Sequence, residues 1–286
     1  ISAAFAGPLL YPLKEQGGGV HLVGESSRGK TTALQASASV WGAPRLAGSW
    51  RATANGLEAI AARANSTCLY LDEMAQVEPR EAGETAYMLA NGLGKSRAKQ
   101  DGGARESATW RLNFFSTGEI GLADKIAEGR LKQRAGQAVR LVDIPATGQA
   151  HGLFDDLHGC KSAPEFADQV NRATTITYGH AGLLFVARLV SDIEAAKKAA
   201  RQISQGFVDE VRKKHLEADG QVLRVAKHFG LILAGGTLAI RWDILPWAEA
   251  EISHAVWTAF DLWLGKRGGT EAMEKREALK AVRSFL

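Results

Sequence analysis

The chain has 286 residues, of which 45% are hydrophobic and 23% are charged, and its formal net charge is +4. These values are ordinary for a soluble globular protein, with no low-complexity tract and no apolar run approaching a membrane span. Two cysteines argue against a disulfide framework and for a reducing compartment, so we expect a cytoplasmic protein with no membrane partner.

The first predicted elements form a phosphate-binding loop. Residues 20–23 have strand character, residues 24–31 read Gly-Glu-Ser-Ser-Arg-Gly-Lys-Thr, and a helix-compatible stretch follows. Strand, G-x-x-x-x-G-K-T loop and helix in this order are typical of a P-loop, whose backbone N–H groups cradle phosphates at a helix N-terminus. The predicted ATP contacts are Gly24, Glu25, Ser26, Ser27, Arg28, Gly29, Lys30, Thr31 and Thr32.

Two of these side chains have predicted roles of their own. The ammonium group of Lys30 would reach the β- and γ-phosphates of ATP. The hydroxyl of Thr31 would be a ligand of Mg²⁺.

A second motif follows at residues 68–73, where an apolar run ends in two carboxylates. Buried parallel strands read as such continuous runs, and ligands bind at the carboxyl edge of a parallel sheet. Asp72 is the predicted second Mg²⁺ ligand, and Glu73 is the predicted base that polarises the attacking water. Alternatively, the pair could be solvated charges that end a strand. We favour an ATPase.

The remaining elements predict an α/β fold with a parallel sheet, followed by a helical region. Predicted strands lie near 20–24, 48–51, 67–72, 111–116 and 138–144. Predicted helices lie near 30–40, 55–64 and 80–91. From residue 151 onward the apolar residues recur at helical spacing only. We therefore predict a P-loop ATPase core over residues 1–148 and an all-helical region over residues 149–286.

These motifs resemble the family called domain of unknown function 927, found in primase- and helicase-type proteins of plasmids, prophages and other mobile elements. The similar stretches are residues 18–24 with the P-loop, then 49–58, 72–73, 79–84, 87–92 and 115–119. The resemblance implies an AAA+-like ATPase, related to superfamily 3 and MCM-type helicases, that acts as a ring.

The resemblance also implies three further site residues. Thr117, with Ser116 as its nearest alternative, would sense the γ-phosphate from a strand tip. Arg134 would be the arginine finger that reaches the nucleotide of a neighbouring subunit, and Arg224 would contact nucleotide from the helical region. On spacing alone these residues are a strand cap, a basic helix end and the polar side of a helix.

Residues 95–111 predict an inserted hairpin, because Asp101-Gly102-Gly103 is a turn signal. Lys95, Arg97 and Lys99 alternate along its leading arm, which places them on one face. In related ring helicases such a hairpin projects into the central pore, where these cations would bind the DNA backbone. The alternative is an exposed edge hairpin whose charges only discourage aggregation.

Three functions remain open at this point. The leading hypothesis is a hexameric, Mg²⁺- and ATP-dependent DNA helicase or translocase that acts on single-stranded DNA in its pore. The others are an ATPase switch that loads or initiates without unwinding, and a nucleotide-binding scaffold whose hydrolysis is incidental. Because the chain starts at Ile1 and stops inside an amphipathic pattern, we also expect missing flanking domains.

Overall fold

A five-stranded parallel sheet forms the centre of the amino-terminal half. The computed structural model describes residues 1–95, 97–98, 104–105, 107–147 and 150–271, and only the backbone of residues 97–98 and 104–105. Within these ranges the strands are β1 Gly18–Val23, β2 Ala47–Ser49, β3 Cys68–Asp72, β4 Arg97–Ala98, β5 Ala104–Arg105, β6 Asn113–Gly118 and β7 Leu141–Pro145.

Helices cover both faces of this sheet and make up the second half of the described chain. They are α1 Ser2–Leu13, α2 Lys30–Ala38, α3 Ala54–Arg63, α4 Pro79–Asn91, α5 Leu122–Glu128, α6 Ala135–Ala138, α7 Ala163–Ile176, α8 His180–Ser191, α9 Ile193–Lys214, α10 Gly220–Arg241 and α11 Glu249–Arg267. The prediction of an α/β core followed by a helical region is confirmed.

The sheet has the strand order β2-β3-β6-β1-β7, with every pair parallel. The P-loop strand β1 and the acidic strand β3 are therefore not neighbours, because β6 lies between them. Because the strands are parallel, the carboxyl ends of all five lie at one edge of the sheet. Asp72 and Thr117 lie at this edge, and the P-loop follows β1 there. This order brings three segments that are distant in sequence to a single place.

Side chains along each strand point alternately to the two faces of the sheet, so the apolar residues of the strands belong to two hydrophobic cores. Leu69, Leu71 and Phe114 face α3, α4 and α5. Tyr70 and Phe115 face the opposite way and join a cluster that includes α2 and the helices α9 to α11. A parallel sheet buried on both faces is stabilised by about 25 cal/mol for each Å² of apolar surface removed from water.

That second cluster joins the two predicted domains, since it contains Val142 of β7 together with Phe229 of α10 and Phe260 of α11. The rings of Phe229 and Phe260 lie edge to face, with centroids 5.5 Å apart. The helical region thus packs directly on the sheet, and the division at residue 148 stays a prediction.

Helix α1 lies against α10 and contributes Phe5, Leu9 and Leu10 to a third apolar cluster. No element was predicted here. Pro8 and Pro12 lie inside the helix, and proline disfavours a helix interior. Eight of its 12 residues, including Pro8, are buried, and this burial overrides the local preference.

Helix α10 is long and apolar enough, by length and composition, to cross a membrane, with a mean hydropathy of 1.3 over its best window. However, 72% of that window is buried against other parts of the protein. Its neighbours are α1, α9 and α11. This is the environment of a core helix in a globular protein.

The inserted hairpin begins where α4 ends. Arg97 pairs with Arg105 and Ala98 with Ala104 in the antiparallel strands β4 and β5, and Leu93 bridges Thr109 below them. The backbone N–H of Lys95 donates to Oε1 of the buried Glu58 at 3.1 Å. Lys99 and the Asp101-Gly102-Gly103 turn lie outside the described residues.

Candidate nucleotide-binding site

The P-loop turns sharply into helix α2. Gly29 has a φ of 83°, a left-handed conformation that favours glycine, and it precedes the first residue of α2. The Lys30 side chain folds back along the loop, where its Nζ donates to the carbonyl oxygens of Gly24 at 2.8 Å and Glu25 at 2.6 Å. Lys30 is only 8% exposed, so its charge is held inside the loop.

Asp72 is surrounded by donors from three segments. Its Oδ1 accepts from the backbone N–H of Glu73 at 3.0 Å and from the hydroxyl of Thr117, and the Thr31 hydroxyl lies 3.5 Å away. Carboxylate and hydroxyl oxygens are the ligand type that Mg²⁺ takes from proteins. The predicted metal ligands Thr31 and Asp72 therefore lie together and fit that ion.

Glu73 has a φ of 56°, which is uncommon for a residue with a side chain. Such strained conformations cost on the order of 1–3 kcal/mol and cluster at functional sites. The Oε1 atom of Glu73 accepts from the backbone N–H of Ala75 at 3.2 Å, capping a short 3₁₀ turn. This contact orients the carboxylate at the rim of the same cavity as Lys30 and Asp72.

The structure separates Thr117 from Ser116, the two candidates for the γ-phosphate sensor. Thr117 pairs with Leu22 in the register of β6 and β1, and its hydroxyl points to Asp72. Ser116 is on the opposite face of the sheet, as neighbours in a strand must be. Of these two residues, only Thr117 lines the cavity that Lys30 also lines.

Ser116 instead belongs to a buried hydrogen-bond chain behind the site. The Nε1–H of Trp50 donates to the Ser116 oxygen at 2.7 Å, and His21 Nδ1 lies 2.8 Å from that oxygen. His21 Nε2 lies 3.0 Å from the Ile120 carbonyl, which can only accept, so Nε2 carries the proton. Burial lowers the pKa of His21, and the neutral ring accepts from Ser116. This chain links β1, β6 and the turn after β6 beneath the site.

A segment that the sequence analysis missed forms the outer wall of the site. The backbone N–H of Leu153 donates to the Arg28 carbonyl at 3.0 Å. The ring of Phe154 lies so close to Gly29 that a Cβ there would come within 2.7 Å of it. Phe154 also packs edge to face on Phe166 of α7, with ring centroids 5.0 Å apart. A single aromatic residue in a polar loop has no periodicity that would have revealed this contact.

The P-loop, β3, β6 and α7 together enclose a cavity of about 350 Å³. Its charged and hydroxyl groups include Lys30, Thr31, Asp72, Glu73 and Thr117, all from the sequence prediction. Glu119 and Asp168 also line it and were not predicted.

Arg134 and Arg224 are not brought to this cavity. Arg134 is exposed and lines a separate cavity of about 610 Å³ with α4 and the hairpin base, including Tyr87 and Lys95. Arg224 lines a third cavity beside Gly18, the first residue of β1. The P-loop follows the other end of this six-residue strand, roughly 17–20 Å away. The structure therefore does not bring Arg224 to the nucleotide-binding loop of its own chain.

Two comparisons with known proteins match the chain, and the third does not. Residues 1–109 match the family described as Domain of unknown function (DUF927), which confirms the resemblance over that range but not over residues 115–119. No curated protein sequence matches. Among solved structures the chain is similar to the SCCmec type IV Cch active helicase, with a TM-score of 0.69 and 20% identity.

That structural likeness covers 91% of this chain and 47% of the helicase chain. The chain thus spans about half the length of its structural neighbour. At 20% identity the likeness concerns the fold alone, which is that of a P-loop NTPase-like α/β protein.

Proposed function

We propose that the chain is the motor core of an ATP-hydrolysing DNA helicase or translocase from a mobile-element replication protein. The observation that carries this proposal is the convergence of Lys30, Asp72, Glu73 and Thr117 on one cavity. A P-loop lysine, an oxygen cluster for a metal and a separate carboxylate are the groups that phosphoryl transfer to water requires.

Each side chain has a role in this proposal. Lys30 exchanges its two carbonyl acceptors for the β- and γ-phosphate oxygens of ATP. Thr31 and Asp72 hold Mg²⁺, which when bound neutralises phosphate charge. Glu73 accepts a proton from the attacking water, and Thr117 couples the strand tip of β6 to the γ-phosphate. The Leu153–Phe154 wall reduces access of bulk water beside Gly29.

Assembly into a hexameric ring is part of the proposal. Arg134 is exposed and does not line the P-loop cavity of its own chain, as expected of a finger that serves a neighbouring subunit. The neighbour's printed name, active helicase, supports DNA as the partner. We place the protein in the cytoplasm, where Cys68 and Cys160, both free thiols, would stay reduced.

The function is tested by changing Lys95, Arg97 and Lys99 together to alanine. We expect weaker single-stranded DNA binding, loss of DNA-stimulated ATP turnover and loss of strand separation, while basal turnover is retained. Three lost phosphate contacts should lower the log–log salt slope of binding by about 2. The measurements are fluorescence anisotropy, phosphate release and an unwinding assay. DNA-stimulated turnover without unwinding by the wild type would favour the ATPase switch.

Arg134→Ala should lower turnover of the assembled protein by about 10³-fold while leaving ATP binding by the isolated subunit unchanged. The reason is that the guanidinium acts on the nucleotide of the neighbouring subunit. There it stabilises the charge of the transition state, so its loss lowers turnover and leaves ATP binding by the subunit's own P-loop unchanged. Phosphate release is measured with the variant alone and mixed with Glu73→Gln subunits, which keep their own finger.

Arg140→Ala is the comparison variant, because Arg140 directly precedes β7 and is another candidate for the finger. The Arg140 guanidinium stacks over Tyr87 at 4.2 Å and donates to the Gly136 carbonyl at 2.9 Å, so it is already engaged within the chain. Unchanged turnover for Arg134→Ala in the assembled state would transfer the role to the exposed Arg130 or to Arg140.

A further inference from the structure

A basic cavity of about 520 Å³ lies at the amino end of β1, at the edge of the sheet opposite the P-loop. Its walls are the end of α1, the start of β1, the residues before β7 and one face each of α9 and α10. Five cationic side chains and a single carboxylate, Glu15, line it. The cations are Lys14, Arg140, Arg212, Arg224 and Lys227.

Some of these charges are already paired. Lys227 forms an ion pair with Glu15 at 2.8 Å, and Arg212 forms one with Asp209 at 3.2 Å. Lys14 and Arg224 are both exposed. Within the part of the chain that the structure describes, neither side chain has an ion-pair or hydrogen-bond partner. Two unneutralised, exposed cations therefore line the cavity, one at the end of α1 and one on α10.

The floor of the cavity is neutral. His228 packs against Gly18, and its Nε2 bonds to Oδ1 of Asn113 at 2.8 Å. The Asn113 amide nitrogen donates to the Ala3 carbonyl, so its oxygen is the acceptor and His228 Nε2 carries the proton. Burial lowers the pKa of His228 to about 4, so the ring is uncharged at neutral pH. The positive charge of the cavity consequently comes from its lysines and arginines and not from the buried His228.

The cavity and the inserted hairpin share one edge of the sheet. Gly17, in the cavity wall, lies so close to the carbonyl of Leu112 that a Cβ would come within 2.2 Å, and it is also near the Ala90 carbonyl. Ala90 is in the last turn of α4, directly before the hairpin, and Leu112 directly precedes β6. Between them the Arg111 guanidinium lies over the Tyr11 ring at 5.4 Å. Arg111 thus adds one further cation at this edge of the sheet.

We propose that this cavity binds the phosphodiester backbone of a nucleic-acid strand, with Lys14 and Arg224 as its free phosphate contacts. It is a second contact, separate from the hairpin and from the nucleotide site. His228 is the only aromatic-type ring among the described lining residues, which gives bases no stacking platform. Backbone contacts of this kind orient a strand without reading its sequence. The inference rests on the proposed function only in that both take nucleic acid as the partner.

The test is the double variant Lys14→Gln/Arg224→Gln, titrated with a labelled single-stranded oligodeoxynucleotide at several salt concentrations. We expect weaker binding and a log–log salt slope lower by about 1.4, since two single-strand phosphate contacts are lost. ATP affinity at the P-loop should not change. The matched control is Arg172→Gln/Arg188→Gln, which removes the same charge from exposed positions on α7 and α8, outside the cavity.

The outcomes separate this inference from the proposed function. If the double variant has the same salt slope as the control while the hairpin variant loses DNA binding, the inference about the cavity is wrong and the proposed function stands. No DNA binding by the wild type would overturn both. If the double variant loses affinity for pyrophosphate but not for the oligonucleotide, the cavity is a small-anion site and the inference is wrong. Thermal unfolding of both variants verifies that they fold.

Discussion

Replacing Glu73 by glutamine is expected to lower ATP turnover by about 10²- to 10⁴-fold without weakening ATP binding. A carboxylate can accept the proton of the attacking water, whereas an amide of the same shape cannot, and general-base catalysis contributes on this order. The fold should tolerate the change, because the glutamine oxygen can still accept from the Ala75 N–H as Glu73 does at 3.2 Å. Equilibrium ATP titration and phosphate release measure the two quantities separately.

Glu119→Gln is the matched control. Glu119 is a second glutamate that lines the same cavity, so the two variants make the same chemical change at different positions. If Glu119→Gln loses turnover while Glu73→Gln keeps it, the base has been assigned to the wrong carboxylate. The left-handed backbone conformation of Glu73 favours its assignment as the base, because strained residues cluster at active sites.

Replacing Lys30 by alanine is expected to weaken ATP binding by about 100-fold or more. Charge-assisted hydrogen bonds to a charged partner contribute about 1.5–3 kcal/mol each, and Lys30 would make them to two phosphates. Isothermal titration with Mg²⁺-ATP measures the loss. Lys161→Ala, which removes an exposed lysine outside the cavity, should bind ATP as the wild type does.

The Lys30 variant needs a test of folding, because the ammonium group also bridges the Gly24 and Glu25 carbonyls inside the loop. Lys30→Arg keeps the charge and separates loss of charge from loss of loop structure. ATP affinity that survives in a folded Lys30→Ala protein would contradict the assignment of the P-loop as the nucleotide site.

The chemistry of the site could be predicted from sequence because its motifs are local. A glycine-bounded loop, a lysine at the start of a helix and two acids at the end of an apolar strand each occupy a few consecutive residues. The five strands of the sheet and the helices α2, α3 and α4 begin and end within about three residues of the predicted bounds. No element was predicted in the first 13 residues. There, Pro8 and Pro12 oppose a helix locally, and only the packing of α1 against α10 decides for it.

The sequence by itself determined the α/β P-loop core and predicted that Lys30, Asp72 and Glu73 belong to one candidate site, since those signals are contained in short segments. Only the tertiary structure placed Thr117, and not Ser116, beside Asp72, because the order of β3, β6 and β1 sets which strand face meets that carboxylate. It also put Phe154 beside Gly29 and Arg224 at the opposite edge of the sheet. Such placements depend on how helices far along the chain pack against the sheet, and side-chain packing over long sequence distances leaves no periodic pattern to read.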